Sequence, residues 1–410
     1  MSRRLASLLA VLVVAALGAG CERGSPRGPS ITVVIAEYSK DHTRPFWQAL
    51  AEQYGKQGGG TIDLRIIDWN SIDQQVSTMI QNNQPPDVLN LNSFSSYARD
   101  GLLYPADEVL SPATKDDFLE SFARGGQYQG TLYGLPILSS ARAFFYNREL
   151  FAKAGLAAPP RTWDEFVQAA RKLQALGGGA IGYALPLGPE EAQAEWSIWM
   201  WNGGGDWKAG ETWAIDSEPN VRTLTFLADL ANRHKVTQVN PGKTNRTDGA
   251  FQLFKDGKVG MVIGFSPLAR QLDAEGKVKY GVAEMPTRLA KSVTLGVEDY
   301  LMAFKKKDNR EAVKKFLDLY YQPDNITRWI TAEGFLPVTK SGLERMRADA
   351  RLKPYLDALP NARLAPTTDP AWDRVKLDVQ QNIGLAVQPG GNPKQVLDQL
   401  QRNAVAAAAR

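Results

Sequence analysis

Two acids stand side by side before an apolar run: Glu298-Asp299, then Tyr300-Leu301-Met302-Ala303-Phe304. Carboxylates placed this way could accept hydrogen bonds from ligand hydroxyls or hold a cation; an exposed loop or a salt bridge is the plainer reading. Aromatic rings also recur beside polar groups, at Glu37-Tyr38, Trp69-Asn70, Asn92-Ser93-Phe94, Trp199 with Asn202-Gly203, and Gly264-Phe265-Ser266. A flat ring covers an apolar face while amides and acids satisfy polar edges, which is the chemistry of holding a small molecule. Other chemistries are less well served. The chain has two histidines, His42 and His234, and one cysteine, so a His-rich metal site is not expected. No Gly-rich phosphate loop ending in Lys-Ser/Thr and no Gly-x-Ser-x-Gly elbow occurs. Acids are numerous, so a carboxylate pair for glycoside cleavage stays open on count alone.

The elements that must position these residues follow from the hydrophobic pattern. Ile31 to Ala36 is nearly continuous apolar sequence, as a buried parallel strand requires. Pro45 opens a helix with Phe46, Leu50 and Tyr54 inward. Ile62, Leu64 and Ile66 alternate into a second strand, and Ser71 with Gln74 reads as a capping box for the next helix. Val88 to Leu91 is a third strand. This β-α-β-α-β order predicts an open parallel sheet, whose ligands bind beyond the strands' carboxyl ends. Glu37, Tyr38, Trp69, Asn92, Ser93 and Phe94 all fall there. Tyr133 to Asn147 has a Gly-Leu-Pro turn, a polar loop ending in Arg142, and an aromatic strand, a segment able to carry the chain from one body to another. Thr162 and Glu165 make a second capping box. Trp196 and Trp199 share a helix face, with Trp196 in the core and Trp199 divided between core and cleft. Asn202 and Gly203 end that helix with backbone groups free. Phe265 ends a strand, where it serves either packing or a ligand. Val405 to Arg410 is expected to fray.

The chain has 410 residues, 43% hydrophobic and 22% charged, with net charge +4. That is length enough for two cores, and the mild charge shows no stripe suited to nucleic acid. Arg3-Arg4, the apolar run Leu5–Leu17 and the small residues before Cys21 read as a secretory signal over residues 1–20. Residues 22–30 read as a flexible tether.

Several stretches together resemble the family 1 extracellular solute-binding proteins, the sugar-type receptors of ABC importers that include maltose-binding protein. They are Tyr133-Gly134-Leu135-Pro136, Tyr146-Asn147 with Leu150-Phe151, Gly155-Leu156 with Thr162-Trp163-Asp164-Glu165-Phe166, and Phe254-Lys255-Asp256-Gly257-Lys258. The resemblance runs in order along nearly all of the mature chain. It departs at Gly296-Val297-Glu298-Asp299, where many relatives carry Gly-Gly. It implies a two-lobed α/β fold of the type II periplasmic-binding class, each lobe an open sheet, joined by about three hinge crossings. The expected division is residues 31–140 and 287–336 for the first lobe, and 141–286 and 337–410 for the second. The ligand set would be Glu37, Asn92, Arg142, Asn202, Glu298 and Asp299 for hydrogen bonds, Tyr38, Trp69, Phe94, Trp199 and Phe265 for stacking, and Gly203 through its backbone. Cys21 resembles a lipobox cysteine, although Gly18 stands where Leu is usual. The implied role is capture of a sugar or oligosaccharide for an ABC permease, by a lipid-anchored, extracytoplasmic monomer without cofactor or metal. A polyol, glycerol phosphate or polyamine on the same scaffold is the alternative, and a secreted glycoside-processing enzyme is the rival of another class.

Overall fold

The computed structural model describes residues 29–358 and 362–409. The signal segment, Cys21 and most of the tether lie outside the described residues. β1 (Ser30–Glu37) buries Val33, Val34, Ile35 and Ala36, as a strand covered on both faces must. α1 (Thr43–Lys56) buries Phe46, Trp47, Leu50 and Tyr54 along one stripe. β2 (Thr61–Asp68) runs parallel to β1, with Glu37 opposite Asp68 at their ends. α2 (Ile72–Gln81) and β3 (Val88–Leu91) complete the unit, and β3 lies parallel to β1 on its other side. Ser71 does precede α2 but makes no capping box. A turn onto the Asp68 carbonyl holds it, so its hydroxyl donates to Asp68 O at 3.2 Å and accepts from Gln75 Nε2 at 3.1 Å.

β4 (Leu135–Ala141) is buried at all seven positions and leads into β5 (Ala143–Asn147) of a second sheet. α3 (Trp163–Gln174) starts at the expected capping box, in which Glu165 N donates to Thr162 Oγ1 and the Glu165 carboxylate accepts from Thr162 N, both at 3.2 Å. β6 (Ile181–Tyr183), α4 (Ala192–Asn202), α5 (Glu218–Asn232), β7 (Val259–Gly264), α6 (Ser266–Glu275) and β8 (Tyr280–Ala283) follow. The four-stranded second sheet has the order β8-β5-β7-β6. α4 is buried all round, which its Trp-rich sequence permits.

β9 (Thr294–Ala303) returns to the six-stranded first sheet. Its first half pairs antiparallel with β4 and its second half with β3, with the register shifting between Asp299 and Tyr300. The two connecting strands are therefore zipped together, and Leu336 adds a third rung by exchanging backbone hydrogen bonds with Ser139 at 2.8 and 3.1 Å. α7 (Pro323–Glu333) ends at Gly334, whose φ of 82° needs glycine. α8 (Lys340–Met346) packs on α7 and is tied to Asp117 by backbone bonds, so the chain stays with the first lobe to that point. β10 (Ala362–Arg363) pairs with the start of β9. α9 (Trp372–Asn382) then packs on α4, and α10 (Pro393–Ala408) on α5 and α9. α10 persists to Ala408 instead of fraying from Val405. Leu397, Leu400 and Ala404 are buried, and Asn392 caps its first turn. The result is a two-lobed type II α/β architecture.

Candidate functional site

The carboxyl ends of β1, β2 and β3 meet the connecting strands β4 and β9, and the site is built at that junction. Tyr38, just past β1, sends its hydroxyl to Asp299 Oδ2 at 2.8 Å, with Asn90 Oδ1 at 3.0 Å. Its single proton serves one of them at a time. The ring is wedged edge-on against Trp69, Phe335 and Trp329 at centroid distances of 5.2–5.4 Å. Phe335 in turn packs on Phe265, and the Arg142 guanidinium sits 4.0 Å above the Phe265 ring. A run of rings thus crosses from one lobe to the other, with a cation at its far end.

Arg142 is 2% exposed. Its backbone N–H bonds to Leu295 O of β9 at 3.0 Å, so the zipped strands fix it. Nη2 donates to both Glu191 oxygens at 2.9 and 3.0 Å. Nε and Nη1 have no hydrogen-bond partner among the described residues. Burial lowers its pKa to about 10, so it stays charged at neutral pH. Arg246 is paired as well. Its Nε lies 2.9 Å from Glu191 Oε2, an ion pair too bent for a hydrogen bond, and Nη2 lies 3.6 Å from the fully buried Glu195. Trp199 Nε1 donates to Glu195 at 2.9 Å and the Tyr183 hydroxyl bonds to it too. Glu191 and Glu195 lie at the N-terminal end of α4, where the helix dipole favours negative charge.

Glu298 and Asp299 are both buried, at 5% and 4% exposure. Successive strand residues face opposite ways, and their partners differ accordingly. Glu298 accepts from the Tyr300 hydroxyl at 2.8 Å, and burial raises its pKa to about 8 against the lowering effect of that bond. Asp299 is raised by burial to about 7, again against the bond from Tyr38. Asp299 Oδ1 has no partner among the described residues. Glu298 opens onto a cavity that also meets Asn92, Glu191, Gln193, Trp372 and Lys376. Its free interior of about 40 Å³ admits a few waters but no sugar ring with the lobes as they stand. Entry of a larger solute requires the lobes to part. Among the described residues, no three His, Cys, Asp or Glu side chains gather as a metal would need.

The model of the bacterial extracellular solute-binding protein family matches residues 40–326. This chain belongs to that family. A binding protein of Brucella abortus (strain 2308) is 31% identical over 401 residues, spanning 96% of this chain and 95% of its own length. The sn-glycerol-3-phosphate-binding periplasmic protein of Salmonella typhimurium (strain LT2) is 26% identical over 258 residues, 58% of this chain and 55% of that protein. Among solved structures, an ABC transporter solute-binding protein from Thermotoga lettingae bound with alpha-D-tagatose superposes with a TM-score of 0.81. Its identity is 21%, and the match covers 92% of this chain and 99% of that one, which speaks to the fold. The protein is thus a bacterial extracellular solute-binding protein.

In this solute-binding protein Tyr38, Trp69, Arg142, Phe265 and Asp299 come together, and Asn92 and Glu298 meet at the adjoining cavity. Glu37 is half-buried at the end of β1 beside Asp68, and among the described residues no side-chain hydrogen bond or ion pair joins it to this group. Phe94 is fully buried edge-on against Tyr300, 5.0 Å away, beneath the Glu298 side. Trp199 is fully buried among Trp163, Phe166 and Tyr183. Asn202 clasps the chain entering β9: Nδ2 donates to Val293 O at 2.8 Å and Oδ1 accepts from Val293 N at 3.1 Å. A Cβ on Gly203 would run into the Thr223 hydroxyl. Sequence reasoning passed over Glu191, Gln193, Glu195, Arg246, Trp372 and Lys376. The signals were charged residues inside apolar stripes: Glu195 in a helix otherwise full of Trp and Ala, and Lys376 one turn from Trp372 and beside Val375 and Val379.

Proposed function

We propose that the cleft takes a neutral, hydroxyl-rich solute, a sugar or short oligosaccharide, and passes it intact to an ABC permease. One observation carries this: each buried cation already has its acid, while a donor and an acceptor are left over. Arg142 and Arg246 share Glu191 and Glu195, and Lys376 has Asp73. Arg142 Nε and Nη1 and Asp299 Oδ1 remain to be satisfied. A hydroxyl both donates and accepts, so adjacent hydroxyls satisfy both groups, and a buried polar atom left without a partner costs about 1–3 kcal/mol. A phosphate would take the arginine donors but face Asp299, whereas an amine would take Asp299 but face Arg142. Tyr38, Trp69 and Phe265 supply the apolar surfaces that a sugar's CH faces want.

Glycerol phosphate is the second reading, favoured by the Salmonella relative, and Arg142, Arg246 and Lys376 are the cations it would use. Catalysis has less support. Glu298 and Asp299 face opposite sides of one strand, so they do not flank a common bond as a glycosidase pair must. Lipidation at Cys21 and action as a monomer complete the reading, with the resemblance around Cys21 as support for the first. Calorimetry on protein unfolded and refolded to strip carried-over solute tests it. Titration with sugars, polyols, glycerol phosphate and polyamines should give one-to-one heat with a sugar, recovered unchanged. Heat from glycerol phosphate or a polyamine alone would replace the ligand class, and cleaved sugar would overturn the receptor reading.

A further inference from the structure

Two side chains of α9 reach out of their own lobe. Lys376 is 4% exposed, and its ammonium lies 3.1 Å from Asp73 on α2 and 3.2 Å from the Asn92 side-chain oxygen beyond β3. One turn earlier, Asp373 accepts the hydroxyl of Ser96, in the helical turn that follows Asn92. Asp73, Asn92 and Ser96 belong to the first lobe, while α9 packs on α4 of the second. One helix face therefore grips the opposite lobe, at the edge of the cavity that Asn92 and Lys376 both line. Burial opposes charge on Lys376, but Asp73, Asp373 and the more distant Asp299 together outweigh it. Trp372, Lys376 and Val379 are all buried along one side of α9, so the helix presents the ammonium from a fixed base.

We propose that Lys376, Asp73 and Asn92 form a latch that holds the two lobes closed, so that solute enters and leaves only when this buried ion pair opens. The geometry favours a latch over a packing contact. The lysine crosses between the two lobes, and both Asp73 and Asn92, its partners, lie on the far side, as does Ser96, the partner of Asp373. Asp73 remains one-third exposed (33% for its side chain), so water reaches the pair and can take over its solvation as the lobes part. The inference needs only the two-lobed fold and not the identity of the solute, so a wrong sugar assignment leaves it standing.

The test is made without added solute. Spin labels at Glu52→Cys on α1 and Lys172→Cys on α3, in a Cys21→Ser background, report the distance between lobes by double electron–electron resonance. The parent should show one short distance. Lys376→Met and Asp73→Asn should each move the closed-to-open ratio about tenfold toward a longer distance, and the double variant should go no further than either. Exchanging the charges, Lys376→Asp with Asp73→Lys, should restore the short distance. Unchanged distances in both single variants, or a double variant that shifts by the sum of the two, would overturn the latch. Should Lys376→Met melt early, Asp73→Asn at its partly exposed site decides between the same outcomes.

Discussion

Glu298 and Asp299 are joined by one peptide bond, yet each is held by a different tyrosine on a different side of β9. Both are buried, and burial makes the protonated form the easier one to keep. For Glu298 the pKa rises from 4.5 to about 8. Between those values the folded protein holds a proton that the unfolded chain has released. Stability from this group therefore falls as pH rises across that window, the reverse of an acid held in a salt bridge. Glu298→Gln removes the titration while its amide oxygen can still accept from Tyr300. The melting temperature of the variant should match the parent near pH 5 and exceed it near pH 8. Parallel melting curves at the two pH values would show that Glu298 is ionised in the folded protein. A buried, protonated carboxyl also has a proton to donate, so Glu298 offers the cavity a donor at neutral pH as well as an acceptor.

The elements of this protein divide by whether their ends are specified locally. α3 is: Thr162 and Glu165 exchange bonds with each other's backbone, and the pattern that announced them is the one in the structure. Thr162→Ala should lower stability by about 1 kcal/mol in urea denaturation, whereas Ser71→Ala ahead of α2, where no cap bond forms, should change it by less than about 0.5 kcal/mol. Equal losses at both sites would mean that the hydroxyls act through something other than capping. β1, β2, α2 and β3 were legible for the same reason, since continuous or alternating apolar runs have few other uses. Their strand ends put Tyr38, Trp69 and Asn92 at the junction in advance. What was not legible depends on distant partners. Nothing near Ser71 says that Asp68 will take its hydroxyl, and nothing in α9 alone says that Lys376 will meet Asp73 across the cleft. Phe94 and Trp199 have compositions suited equally to a cleft or a core, and neighbours far along the chain, Tyr300 and Phe166, closed over them.

At the scale of the whole molecule, the lobes can move only where the connecting strands bend and where cross-lobe contacts let go. Beside the third connection, Arg270 of α6 lies 2.6 Å from Nε2 of His42 in the loop after β1, and Gly334 packs against the Arg270 stem. A guanidinium only donates, so the ring nitrogen must accept, and the contact holds a neutral imidazole. Burial lowers the His42 pKa, and Arg270 lowers it further, with Asp41 pulling the other way. The contact is intact above the ordinary histidine value of 6.5. As pH falls below that value, the separated lobes take up a proton more readily than the closed ones, and closure weakens. Once charged, His42 would face Arg270 directly, with Glu333 and Asp41 as the acids close enough to soften the repulsion. The same pair of spin labels, read at about pH 7.5 and pH 5, should therefore show the interlobe distance lengthening at the lower pH. His42→Gln keeps an acceptor for Arg270 without a titrating group, so its distance should not change. If the glutamine variant opens as far as the parent on acidification, closure is governed by a buried carboxyl such as Asp299, and the His42–Arg270 contact follows the lobes without setting their pH response.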